Sequence, residues 1–448
     1  MDEANVRAMA DERYAERMAA WAAAEHIEFF GEQARGAHRQ RCAWMKDAIE
    51  LRESVVPVCP SFLHFPIRQA GFSTRTATYD LSTLADAYEA FHRMYLPDAV
   101  IMEPLMPGPV FDILDCRQWQ WPGHGLADDA AFQWVEGEYM RDDEYELLIA
   151  DPTLFWLTRY LPRVFPPLAP LAAFGGVTDI DSAYAPVVFE PFATDAAGAM
   201  FAALREAGAA SAAWLEGVAA AGDAVSGELG LPSIAGGIIL APYDVIADEL
   251  RGARNAMMDT IRRPELLRRA MERIVPLQIG KAVRSADATG VPIVMVPLHW
   301  GSDGFMSDKT FRELYWPTLK AVILGCIEHG VVPYLVSESS YDARLEIIAD
   351  PEIPAGRTIW AFETTDIGAA KRALAGRACV AGNLPISLLA IGTPPEVEAK
   401  VAEIFEQAAS GGGYIFATGA SVDEAKPENV AAMFAAAKAL SGRESDAR

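Results

Sequence analysis

The stretch VPIVMVPLHWGSD, residues 291–303, brings groups that can do proton chemistry to the end of an apolar run. An unbroken run of Val, Ile and Met is typical of a strand that is buried on both faces, as in a parallel sheet. This strand would end near His299, Trp300 and Asp303. Because the chemistry of parallel barrels lies where strands end and loops begin, we predict that these side chains belong to a functional site.

Other predicted strands also end in polar side chains. Glu338 lies in VVPYLVSES and Glu363 lies in TIWAFETTD. Together with His299 they could transfer protons, and a histidine with two carboxylates could also hold a divalent metal ion. Further polar groups at the same relative position are Asp244 in LAPYD, Asn383 in AGNLP and Thr418 in ATG. Structural alternatives exist, since Asp244 can cap a helix, Asn383 can form a turn, and His299 can be a hydrogen-bonded core imidazole.

Strands and helices alternate regularly through the second half of the chain. The predicted strands are VPIVMVPLHW, VVPYLVSES, TIWAFETTD, CVAGNLP and GGYIFATG, and a predicted helix follows each of them. Such a long series favours a closed (β/α)8 TIM barrel over an open doubly wound sheet. The polar strand ends would then converge at one mouth, which is the physical case for an enzyme.

The first half of the chain is less regular. Helical spacing predicts one or two helices over residues 1–54, as an extension that precedes a barrel at 55–445. A strand in VVPVCPSFLHFPIRQAGFS, the helix DLSTLADAYEAFHRMY and a strand AVIMEPLMPG would form a βαβ unit. An irregular insertion is expected at about 108–180, either as a lid over the mouth or as surface decoration. The Ala-rich stretch 195–221 predicts a helix.

The composition limits the partners of the protein. The chain has 448 residues, 51% of them hydrophobic, and a net charge of −24. Phosphate backbones and anionic membranes would repel such a chain, which argues against nucleic-acid and membrane binding. A charged leader and an apolar run of membrane-spanning length are both absent from the sequence, so we expect a cytoplasmic protein. The five cysteines are scattered singly, which predicts reduced core residues without disulfides or a structural zinc site.

Several stretches, in the same order, resemble the uroporphyrinogen decarboxylase superfamily. They include APYDVIADELRG, HWGSDGFMSDKTFRELYWPTLKAVI, AGNLPISLLAIGTPPEVE, GGGYIFATGASV and AKPENVAAM, and the resemblance covers residues 240–440 well. In the first half it rests on FPIRQAGFS and the βαβ unit. The resemblance implies the (β/α)8 barrel of that superfamily, in which at least two chemistries share one fold.

The first of these chemistries is that of uroporphyrinogen decarboxylase, whose arginines in an RQAGR stretch grip the acidic side arms of a tetrapyrrole. Arg68, Gln69, Ala70 and Gly71 match this stretch, which implies that Arg68 binds substrate. Phe72 replaces the second arginine, and the HG dipeptide of that branch is replaced by ATGAS. Because the loss of a guanidinium removes a bidentate contact with a carboxylate, we expect this chain to bind a polycarboxylate substrate poorly.

The second chemistry is that of the corrinoid-dependent methyltransferases, which move methyl groups between a cobalamin and a thiol, amine, methyl ether or tetrahydrofolate. Members that act on thiols resemble each other in an HxC motif and a later Cys, which together bind zinc. Val336, Ser337 and Glu338 stand at the first place and Ala420 at the second. A zinc-activated thiol is therefore not expected.

The sequence thus predicts a corrinoid-dependent methyltransferase or O-demethylase that lacks the zinc–thiolate site. Its predicted catalytic groups are His299, Glu338, Glu363 and Asp303. They could protonate or polarise the leaving oxygen of a methyl ether. Trp300 could stack on an aromatic substrate or on the corrin face, or could simply pack in the barrel. The predicted substrate-binding residues are Arg68, Asp244, Trp300, Asn383 and Thr418.

The expected partners and the open alternatives follow from the same resemblance. The DxHxxG motif that commonly holds cobalt is absent from the sequence, so cobalamin would arrive on a separate corrinoid-carrying protein. Tetrahydrofolate is a further candidate carrier, and pairing among relatives implies a homodimer. Two alternatives stay open: a decarboxylase or lyase that needs no cofactor, and a protein that binds a corrinoid or aromatic ligand without turning it over.

Overall fold

The structure, a computed structural model, describes residues 3–100, 107–176 and 185–443. Its centre is a sheet of five parallel strands that follow one another in the order of the sequence. Two short strands come earlier and pair antiparallel, β1 (Trp119–Gln120) and β2 (Gln133–Trp134). The sheet consists of β3 (Ile293–Leu298), β4 (Val332–Ser337), β5 (Ile359–Phe362), β6 (Cys379–Leu384) and β7 (Tyr414–Thr418). Each of these five strands lies in a stretch for which the sequence predicts one.

Three shorter segments close this sheet into a ring. They are joined by the parallel bridges Val58–Phe416, Val100–Ser233 and Ile238–Met295. The amide of Asp98 donates to the carbonyl of Val58, which links the first segment to the second. Segments 57–59, 98–100 and 232–239 therefore take three positions beside β3–β7 in an eight-membered barrel. The (β/α)8 prediction is confirmed, although most of the predicted strand AVIMEPLMPG lies outside the described residues.

Helices surround the barrel and precede it. The α-helices are Glu3–Ala23, Glu32–Ile49, Phe65–Gln69, Thr74–Tyr79, Leu81–Tyr95, Gly108–Leu114, Tyr145–Ala150, Pro152–Phe155, Leu161–Val164, Asp195–Leu229, Pro242–Asp244, Ala253–Arg262, Pro264–Thr289, Asp308–Thr310, Trp316–Glu328, Leu345–Ile348, Ile367–Ala373, Ile386–Ile391, Pro394–Ala408 and Pro427–Leu440. The π-helical turns are Trp156–Tyr160, Val245–Arg251 and Phe311–Tyr315. The 3₁₀ helices are Pro166–Ala173, Ala185–Ala193 and Asp342–Arg344. Among the described residues, no helix has the length and apolarity needed to cross a bilayer.

Two apolar layers hold the barrel together, because alternate residues of a strand point to opposite faces. One face of each strand packs on the surrounding helices. The other face contributes to a second cluster, whose strand residues are Ile293, Val332, Tyr334, Ile359, Ala361, Cys379, Ala381 and Ile415. This second cluster is the barrel interior. Tyr14, Met18 and Trp21 of the first helix join it, so the N-terminal helices close the end of the barrel where the strands begin.

Two sequence predictions about the periphery can be compared with these elements. The predicted helix at 195–221 is confirmed and continues to Leu229, where Gly230 follows in the left-handed conformation with φ 64°. The segment predicted as an irregular insertion contains short helices and the β1–β2 pair, and its last residues, 177–180, lie outside the described part of the chain. The homodimer stays a prediction. Tyr14, Met18 and Trp21, apolar residues of the first helix, pack on the barrel.

Candidate functional site

One row of side chains crosses four neighbouring strands at the mouth of the barrel. The strand register aligns Leu298, Ser337, Phe362 and Gly382. The next row is therefore formed by His299, Glu338, Glu363 and Asn383. The side chains of this row point to the same strand face as the interior cluster. Tyr334, Ala361 and Ala381 belong to that cluster and precede Glu338, Glu363 and Asn383 by an even number of residues. The four side chains that the sequence placed at separate strand ends thus lie side by side and face the mouth.

His299 lies between two carboxylates. Its Nδ1–H donates to Asp248 Oδ2 at 2.6 Å, and its Nε2 lies 3.5 Å from Glu338 Oε1. Asp248 also accepts a hydrogen bond of 2.6 Å from the indole nitrogen of Trp300. One carboxylate therefore fixes the orientation of both rings and leaves the Nε2–H of His299 directed to Glu338 and the mouth.

A fully buried carboxylate holds the backbone of the same residue. Asp244 Oδ2 accepts hydrogen bonds from the amide of His299 at 3.0 Å and from the hydroxyl of Tyr315 at 2.9 Å. Its other oxygen has no hydrogen-bond partner among the described residues. Burial raises the pKa of Asp244 to about 7, against the lowering effect of the His299 charge. The predicted substrate-binding Asp244 thus lies behind His299, where it positions the strand end.

The carboxylates make His299 an acid at neutral pH. Burial alone would lower the pKa of His299, but the hydrogen bond to Asp248 and the charges of Asp244 and Glu338 outweigh it and raise the pKa to about 9. Burial raises the pKa of Glu338, an effect that His299 opposes and that Glu363 and Asp248 reinforce. An imidazolium held between two carboxylates can deliver a proton to a bound substrate.

Asp248 is the site residue that the strand-end reasoning did not identify. It lies on the π-helical turn Val245–Arg251, which directly follows the short helix Pro242–Asp244. Helical turns of this kind are rare and are frequent at functional sites. The signal in the sequence was the spacing of Asp244 and Asp248 in PYDVIADEL, because residues four apart lie on one face of a helix.

Glu363 is held by an unusual backbone turn. Its Oε2 accepts a hydrogen bond from the amide of Ser339, the residue after Glu338. Ser339 has φ 64°, in the left-handed region that residues other than glycine seldom adopt. Such local strain clusters at functional sites, where the surrounding structure maintains it. The turn links the ends of β4 and β5 and keeps the two glutamates adjacent.

Asp303, a predicted catalytic residue, is engaged away from the imidazole. Its Oδ2 accepts hydrogen bonds from the Ser340 hydroxyl at 2.8 Å and from the Ala343 amide at 3.1 Å. Its Oδ1 lies 3.6 Å from Nε of the buried Arg344. These contacts tie together the loops that follow β3 and β4.

Three predicted substrate-binding residues also have protein partners. The Arg68 guanidinium pairs with Glu424 and donates to the carbonyl of Asp129 at 2.6 Å. Thr418 lies on the opposite strand face from the site row, and its Oγ1 accepts from the amide of Ser61 at 3.0 Å. The amide of Asn383, although in the row, donates to the carbonyl of Thr365 at 2.7 Å.

An apolar surface lies beside the row. Trp300 packs edge-on against Phe305 with ring centroids 5.0 Å apart, and the Phe305 side chain is 49% exposed. An aromatic substrate or the face of a large planar group could pack here. Among the described residues, no group of three or more His, Cys, Asp or Glu side chains is arranged to hold a metal ion.

Comparisons with known proteins agree with the fold. The profile of the uroporphyrinogen decarboxylase (URO-D) family matches residues 165–440. A uroporphyrinogen decarboxylase of Methylococcus capsulatus is 28% identical over 199 residues, which cover 44% of this chain and 55% of that protein. One from Coxiella burnetii is 26% identical over 182 residues, or 40% of this chain and 48% of that protein. The matched part thus spans about half the length of these relatives.

The fold is also similar to that of a solved structure. A methyltransferase from Methanosarcina mazei superposes with a TM-score of 0.58, and the match covers 90% of this chain and 98% of that one. The two sequences are 16% identical, so this likeness concerns the architecture alone.

Proposed function

Because the chain belongs to the uroporphyrinogen decarboxylase (URO-D) family, we propose a reaction that fits both this barrel and the groups at its mouth. The protein transfers the methyl group of an aromatic methyl ether to a cobalamin that a partner protein carries, with tetrahydrofolate as an alternative carrier. The observation that supports this proposal is the position of His299 between Asp248 and Glu338, next to the aromatic rings of Trp300 and Phe305.

The leaving oxygen of a methyl ether is the chemical reason for an acid at this position. Phenolate is a poor leaving group because the pKa of a phenol is about 10. His299, with a pKa of about 9, has a proton affinity close to that of the oxygen, which favours efficient proton transfer. The bond between oxygen and methyl breaks, and the proton on Nε2 passes to the oxygen. The phenol leaves, and His299 regains a proton from water.

The carrier supplies the other half of the reaction. When bound, cob(I)alamin provides the electron pair that accepts the methyl group. A carrier that approaches from outside would meet Phe305, whose exposed ring lies in the loop that follows β3. Trp300 and Phe305 would contact the planar group or the aromatic ring of the ether. Asp248 would keep Trp300 in place during this contact.

An anaerobic half-reaction tests the proposal. The protein is incubated with cob(I)alamin and 2-methoxyphenol, and the release of catechol is measured by chromatography beside the corrinoid absorption. We expect one catechol for each corrinoid consumed, and loss of this reaction in His299→Gln. His329→Gln is the matched control, since His329 is exposed at the opposite end of the barrel. If neither 2-methoxyphenol nor related ethers yielded a phenol, methyl transfer would be contradicted, and binding without turnover would favour a ligand-binding protein.

Decarboxylation is the second candidate. It is favoured by the relatives named uroporphyrinogen decarboxylase and by the matching residues Arg68 to Gly71. A polycarboxylate would have to displace Glu424 from Arg68, however. Release of carbon dioxide from uroporphyrinogen, measured in parallel without any corrinoid, would replace methyl transfer by this activity.

A further inference from the structure

We infer that the mouth excludes substrates that bear a carboxylate and takes aromatic methyl ethers that are neutral or carry a cationic group. This inference rests on the proposed methyl transfer and specifies its substrate. It concerns the part of the substrate remote from the methyl group, which binds beside the glutamates of the site row.

The charges that surround His299 are predominantly negative. Asp248 and Glu338 lie on either side of the His299 imidazole, and Glu363 follows Glu338 in the row. Burial raises the pKa of Glu338, the charges of Glu363 and Asp248 add to this effect, and the charge of His299 opposes it. The Glu338 side chain is 54% exposed and so meets an incoming ligand. A substrate carboxylate placed here would approach like charges, which is strongly unfavourable at a partly desolvated site.

Two arginines near the mouth, Arg68 and Arg344, already have partners. Arg68 pairs with Glu424 and with a backbone carbonyl. Arg344 is buried, pairs with Asp308, and lies beside Asp303. A bidentate guanidinium contact is the usual means of binding a carboxylate, and neither side chain is free to make one.

The same groups suit a hydrogen-bond donor or a cation. The exposed oxygens of Glu338 can accept from a hydroxyl or ammonium group, and Glu363 lies directly beside it in the row. The rings of Trp300 and Phe305 add an aromatic surface on the side of His299, and aromatic faces attract cations. Together these residues select a substrate by charge.

Three 2-methoxyphenols that differ in one substituent test this selection: vanillyl alcohol is neutral, vanillylamine is cationic and vanillate is anionic. Isothermal titration calorimetry measures binding without turnover. We expect vanillate to bind at least about tenfold more weakly than the alcohol, and the amine to bind as tightly or more tightly. In Glu338→Gln/Glu363→Gln the penalty for vanillate should fall to about threefold or less. Glu352→Gln, at the opposite end of the barrel, removes one negative charge, as Glu338→Gln does, and should leave the penalty unchanged.

Two results would overturn the inference: vanillate binding as tightly as the alcohol, or a penalty that persists in both the double variant and Glu338→Gln alone. The single variant guards against misfolding of the double one. Demethylation is measured separately with the same three compounds. If the protein binds the three compounds selectively by charge but releases no phenol, the proposed reaction is contradicted and the selectivity is supported. If it binds all three compounds with equal affinity and demethylates them at equal rates, the reaction is supported and the selectivity is contradicted.

Discussion

Replacing Asp248 by asparagine should lower the pKa of His299 by about one unit. The pKa of His299 rises from 6.5 to about 9, and Asp248 contributes to the rise through both its hydrogen bond and its charge, with Asp244 and Glu338 as further contributors. A hydrogen bond to a charged group contributes about 1.5–3 kcal/mol, and one pKa unit corresponds to about 1.4 kcal/mol. We take the lower end of this range because the imidazole is 31% exposed and solvent screens the pair.

Nuclear magnetic resonance of histidine labelled with ¹³C at Cε1 measures this pKa directly. The chain has seven histidines, so the His299 signal is assigned by its absence from His299→Gln. A titration from about pH 5 to pH 10 covers both expected values. Since the proposed acid must be protonated, the basic limb of the rate profile should move down in pH by the same amount as the pKa.

Asp303→Asn is the control. Asp303 lies in the loop that follows β3, close to His299 in sequence, but its carboxylate accepts hydrogen bonds from Ser340 and Ala343 rather than from His299. In this variant the pKa of His299 should remain at about 9. The reasoning would be refuted by an unchanged pKa in Asp248→Asn, or by an equal fall in both variants. The second result would restore Asp303 to the proton-transfer group.

Two further predictions concern stability. The folded-state pKa of His299 lies above its unfolded value of 6.5, so its charge stabilises the fold fully below about pH 6.5 and this contribution is lost as the pH rises through about 9. Urea unfolding near pH 6 should therefore show that His299→Gln is about 2 kcal/mol less stable than the wild type. The part of this difference that depends on the charge of His299 should be lost by about pH 10. A difference in stability that does not change with pH would contradict the raised pKa of His299. A Cβ on Gly301 would lie 2.5 Å from the Tyr341 hydroxyl, so Gly301→Ala should lose about 1–3 kcal/mol. Gly304→Ala, which meets nothing within 4 Å, should change little, and equal losses would be unexpected.

The regular half of the barrel could be predicted because its strands are buried on both faces and therefore stand out as apolar runs. The first two ring segments contain or overlap residues of the predicted strands at 55–73 and 99–108, but the way in which the three segments join the ring could not be predicted from periodicity. Pro57, Pro60 and Pro232 interrupt them, and a proline has no N–H to donate to a strand ladder. Their positions become clear only from the bridges that close the ring.

The site was predictable to the extent that strand ends determine it. His299, Glu338 and Glu363 share one phase and one register row, which follows from strands that start and stop together. Asp248 was missed because it reaches His299 from a helix, through a contact that no strand pattern encodes. The contacts of Asp303 with Ser340 and Arg344 could not be predicted for a related reason, since they depend on how two loops pack.

Whether His299 donates the proton to the leaving oxygen is tested most directly by varying the leaving group. Demethylation of 2-methoxyphenol is compared with that of 4-nitroanisole, whose phenol is more acidic and leaves with less need of a proton. We predict that His299→Gln slows the demethylation of 2-methoxyphenol by about 10²–10⁴-fold. For 4-nitroanisole the loss of rate should be smaller by a factor of about ten or more. Equal losses with both ethers would show that His299 has a role other than proton donation and would contradict the central claim.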